Sequence, residues 1–99
     1  MLPSEEAQAL VEAIRHLHGC SAIPVQRVEV DEHFGGATVW HGIVHIFAVD
    51  HPRTSAAYGW SYVVDEQTQR RKFIAVLGIP PVDSPVAAVR AAIASGQQG

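Results

Sequence analysis

His41 and His45 stand four residues apart in the run TVWHGIVHIF, Thr38 to Phe47. Imidazoles ligate transition metals and carry protons near neutral pH, so paired histidines raise metal binding or acid–base catalysis as possible chemistry. The run alternates like a strand, and residues of one parity on a strand share a face. Val39, His41, Ile43, His45 and Phe47 therefore look one way, and Trp40, Gly42, Val44, Ile46 and Ala48 the other. On the preceding strand Arg27, Glu29, Asp31 and His33 fall at odd positions, while Val28, Val30 and Phe34 fall at even ones. Matching apolar to apolar requires an even sum of paired residue numbers, which a three-residue loop Gly35-Gly36-Ala37 supplies by setting Phe34 opposite Thr38. Asp31 then lies opposite His41 and Arg27 opposite His45.

Such geometry limits the chemistry. One ion cannot take both His41 and His45, because four strand residues span ~13 Å. Asp31, His33 and His41 can converge, being directly opposite or diagonal neighbours, and they form the candidate metal or acid–base group. With Glu29 and His45 they make a candidate polar surface cluster whose leading reading is ordinary cross-strand pairing, with no metal and no cofactor expected. No catalytic residue is assigned. Ser61, Ser55 and Thr54 lie in no motif that activates a hydroxyl, and Cys20 follows a helix C-terminus, where the dipole raises a thiol pKa.

The stretch YGWSYVV places Tyr58, Trp60 and Tyr62 on one face and Gly59 and Ser61 on the other. A four-residue turn, Glu66 to Gln69, pairs Asp65 with Arg70 and sets Tyr62 opposite Phe73 and Tyr58 opposite Leu77. Tyr58, Trp60, Tyr62 and Phe73 are thus a candidate aromatic interface or groove, or else core beneath the helices.

The elements that position these residues are legible. Ser4 caps a first helix over about 4–18, with Glu5 and Glu6 in its first turn, Leu10, Val11, Ile14 and Leu17 along one stripe, and Gly19 at its end. Ser84 and Pro85 open a last helix over about 85–95, with Val86, Val89 and Ile93 inward and Gly96 beyond. Between them run strands over about 25–34, 37–49, 57–65 and 71–79. This predicts an α+β domain over residues 1–99 in the order α-β-β-β-β-α: a four-stranded antiparallel meander with both helices packed on one face. The other face, left bare, implies a sheet-mediated homodimer and room for a small ligand or protein partner.

Composition narrows the function classes. Ten acidic against seven basic side chains give a formal charge of −3, the wrong sign for phosphate neutralisation. Nucleic-acid binding is disfavoured, and Arg70, Arg71 and Lys72 read as a solvated hairpin end. A single cysteine excludes an intrachain disulfide, and no run resembles a signal peptide or membrane span, so a cytoplasmic protein with no membrane association is expected.

The pieces VWHGIVHIF, HPRTSAAYGWSY and IPPVDSPVAAVRAAI together resemble a group of small bacterial proteins of uncharacterised function. The likeness runs over most of the chain. It implies a bacterial origin and carries over neither a catalytic residue nor a ligand. The leading expectation is a non-enzymatic domain that self-associates through its sheet and binds a small ligand or protein. The alternative is a small enzyme or metal-binding protein using Asp31, His33 and His41.

Overall fold

The computed structural model describes residues 5–34 and 36–94, apart from the side chains of 34 and 37–39. The chain runs α1 (Glu5–His18), β1 (Ala22–Phe34), β2 (Ala37–His51), β3 (Thr54–Asp65), β4 (Arg70–Leu77) and α2 (Pro85–Ala94). The strands form one antiparallel sheet in the order β1-β2-β3-β4, the expected meander. The expected Ser4 cap, the loop residue Gly35, the helix end at Ser95 and Gly96 and the tail from Gln97 lie outside the described residues, as do the side chains of Phe34, Thr38 and Val39.

Helix ends follow their signals. The N–H of Gly19 donates to the Arg15 carbonyl at 2.9 Å with φ at 68°, a left-handed terminus that glycine adopts without a Cβ penalty. Ser84 Oγ accepts from the Ala87 N–H at 3.1 Å, closing the N-terminus of α2. The buried faces are narrower than the apolar stripes. In α1 Ala7, Leu10 and Ile14 are buried while Leu17 is exposed; in α2 the buried residues are Ala88, Val89 and Ala92, with Val86 at the surface.

The two helices lie on opposite faces of the sheet, which corrects the expectation that they share one. Leu10 and Ile14 of α1 pack with Phe47 and Ala57, and Phe73, Ala75 and Leu77 adjoin them. Ala88, Val89 and Ala92 of α2 pack with Val30, Val44, Tyr58, Trp60 and Ile74. Neighbouring strand residues thus belong to different cores, Ala57 to one and Tyr58 to the other, because alternate side chains point to opposite faces. Both faces carry too much apolar surface to stay in water, and one helix covers only a stripe, so each face takes one helix.

Local shifts in strand pairing set the register. Over Gln26 to Glu32 the pairing is as the parity argument requires, with Asp31 opposite His41 and Arg27 opposite His45. Near the turn Phe34 pairs with Ala37 rather than Thr38, and an irregularity between Glu32 and His33 absorbs the difference. A second shift, between Pro24 and Gln26, reverses parity and brings Ala22 opposite Val49 onto the α1 face. In the β3–β4 hairpin Asp65 does pair with Arg70, but a shift between Val63 and Asp65 sets Tyr62 opposite Lys72 and Tyr58 opposite Val76. Phe73 therefore faces Ser61, not Tyr62, and the four aromatic residues do not share a face.

One further irregularity positions the candidate site. The ladder between β2 and β3 runs from His51–Thr54 to His45–Gly59; among the described residues no pair continues it, although β2 and β3 each go on pairing with their outer neighbours. The two hairpins diverge beyond His45 and Gly59.

Candidate functional site

Where β2 and β3 part, the first turn of α1 closes the gap. Glu6 lies one helical turn before Leu10, so the register that buries Leu10 against the sheet also points the Glu6 carboxylate at it. His45 Nε2 donates to Glu6 Oε1 at 2.5 Å. Ser61 Oγ donates to Glu6 Oε2, Arg71 Nη2 donates to the same oxygen at 3.3 Å, and Arg71 Nε donates to Ser61 Oγ at 2.9 Å. A carboxylate from α1 thus receives donors from β2, β3 and β4.

Gly59 lies beneath the Leu10 side chain of α1. A Cβ there would lie 2.9 Å from Leu10 Cδ2 and 3.3 Å from both the Ile74 carbonyl oxygen and Phe47 Cε2.

Burial pushes the Glu6 carboxyl up, but the hydrogen bonds from Ser61 and His45 and the nearby charges of His45 and Arg71 outweigh it, so its pKa falls below the ordinary 4.5. Glu6 is therefore held ionised, which suits an acceptor and not a general acid. The order of groups also differs from a catalytic triad: the carboxylate stands between serine and histidine, so the imidazole does not face the hydroxyl.

Beside this network opens a cavity of about 580 Å³, lined by Glu5, Glu6 and Ala9 of α1, Arg27 of β1, Ile43 and His45 of β2, and Arg71 and Phe73 of β4. That volume suits a small molecule. Ile43 and Phe73 make an apolar wall with Ala9, and polar groups from both strand pairs and the helix form the rest.

The residues singled out from sequence separate into distinct places. Asp31, His33 and His41 do come together: Asp31 Oδ1 lies 3.1 Å from His33 Nε2 and 3.7 Å from His41 Nδ1. All three side chains are about half exposed, and among the described residues no group of three or more His, Cys, Asp or Glu is placed to hold a metal ion. Glu29 is exposed on the same strand, opposite Ile43. His45 stands apart, only 5 % exposed.

The aromatic set is also divided. Tyr58 and Trp60 are buried beneath α2, Tyr62 packs partly buried against them, and Phe73 adjoins the α1 core on the other face. They are not an exposed interface. Trp60 meets Trp40 edge to face with ring centroids 5.8 Å apart, bridging the diverging hairpins on the α2 side.

Cys20 is buried, and burial together with the negative charge of Asp50 raises its thiol pKa, the expected direction from a different cause than the helix dipole. Among the described residues no helix is long and apolar enough to cross a membrane.

Sequence reading missed Glu6, Ser61 and Arg71 as a unit. A signal for Glu6 was present, since it precedes Leu10 by four residues and Ile14 by eight, on the buried side of the helix. Nothing local could join it to Ser61, 55 positions away. No protein-family model, curated protein or solved structure matches the chain.

Proposed function

We propose that this protein is a non-enzymatic binding domain that holds a small molecule in the cleft where its two hairpins diverge. The observation that carries this reading is the cavity of about 580 Å³ at the end of the β2–β3 ladder, with an apolar wall and convergent polar groups. A binding role is favoured over catalysis because Glu6 is engaged by three donors and Ser61 by Glu6 and Arg71. A fragment screen followed by NMR tests the reading. Binders are expected to shift the signals of Ile43, His45 and Phe73; a screen whose binders all map elsewhere overturns it.

Self-association belongs to the same proposal on a narrower basis than a bare sheet face. Leu17, Ile23 and Val25, around the α1–β1 connection, are each 60 % exposed or more. Pro24 lacks an N–H and a bulge interrupts the ladder beside it, so burial of these side chains, rather than an added strand, would join two copies. Light scattering over a dilution series is expected to show a dimer that Ile23→Lys dissociates. A monomer at every concentration removes this part.

A further inference from the structure

Resting on the cleft reading above, the charges that line the cavity indicate what class of molecule it takes. Glu6 is satisfied by His45, Ser61 and Arg71, and Arg71 is occupied by Glu6 and Ser61. Two charged groups in the lining remain, Arg27 and Glu5. Neither forms an ion pair or side-chain hydrogen bond among the described residues, with each other or with any neighbour.

From this pairing of free charges with an apolar wall we infer that the cleft binds a small zwitterion with an apolar body, of the amino-acid type. Its carboxylate meets Arg27, its ammonium meets Glu5, and its apolar part lies on Ile43 and Phe73. A monoanion would leave Glu5 facing a like charge, and a monocation would do the same to Arg27. Only a ligand carrying both signs matches both groups, and guanidinium suits a carboxylate through paired donors.

The test compares ligands with one body and different heads: L-phenylalanine, 3-phenylpropionate, which lacks the ammonium, and phenethylamine, which lacks the carboxylate. L-leucine and its corresponding acid and amine form a second series. Binding is read by NMR from the shifts of Ile43 and Phe73, on the wild-type chain and on Arg27→Gln and Glu5→Gln, both exposed positions whose replacement leaves the core intact. Each amino acid is expected to bind about fivefold more tightly than either of its monoionic analogues. Arg27→Gln should reduce its affinity to that of the amine, and Glu5→Gln to that of the acid. If a monoion binds as tightly as the amino acid, the zwitterion class is overturned while the cleft stands as a binding site. If the fragment screen finds cleft binders but no member of either series shifts Ile43 or Phe73, the inference alone falls; if neither experiment shifts them, the cleft reading falls with it.

Discussion

The carboxylate of Glu6 and the imidazole of His45 meet at 2.5 Å across 39 positions of chain, joining the first turn of α1 to the strand from which the sheet divides. His45 is buried, so its N–H depends on this one acceptor, and Ser61 shares it. Glu6→Ala is expected to destabilise the protein by about 1–3 kcal/mol, the cost of leaving the buried His45 donor unpaired. Urea unfolding measures it, and a loss below about 0.5 kcal/mol, the range of ordinary surface changes, would show that the contact holds nothing together.

Acid should weaken the same contact. The folded state depresses the Glu6 pKa below 4.5, so the stability it contributes is complete above that value and is lost as pH falls through the folded pKa. Wild-type protein is therefore expected to lose stability on acidification below pH 4.5 more steeply than Glu6→Gln, which cannot titrate. Parallel curves for the two proteins would contradict the assignment.

Gly59 lies directly against the Leu10 side chain of α1. Adding a methyl there forces Leu10 or the Ile74 backbone to move, and overpacking of this kind costs about 1–3 kcal/mol. Gly59→Ala is expected to show that loss, and the double variant with Leu10→Ala to lose less than the sum of the two single losses, since the two changes share one contact. Additive losses in the double variant would mean the strain lies elsewhere.

Asp31 with His33 and His41 offers a contrast. Its partners are about half exposed, and surface pairs contribute little. Asp31→Ala is expected to change stability by no more than about 0.5 kcal/mol, measured by the same unfolding experiment. A loss comparable to that of Glu6→Ala would make this surface group a structural centre.

What could be read from the chain was whatever depends on neighbours in sequence. Alternation along β1 and β2 gave the pairing of Asp31 with His41 and Arg27 with His45, because one slipped residue would have reversed every side chain. Ser84 and Gly19 marked helix ends through bonds that close within one turn. The β3–β4 register was not legible: the turn residues allowed the Asp65–Arg70 pair, but the bulge at Val64 moved every later pair by one.

By itself, then, the sequence determined the order of helices and strands, the meander, and which residues share a face along the paired stretch of β1 and β2 from Gln26 to Glu32, since these follow from local periodicity and turn chemistry. Only the tertiary structure decided that the helices take opposite faces, that β2 and β3 part after His45, and that Glu6 lies among His45, Ser61 and Arg71. Each of these outcomes depends on burying apolar surface and matching polar groups over distances along the chain that no short-range pattern records.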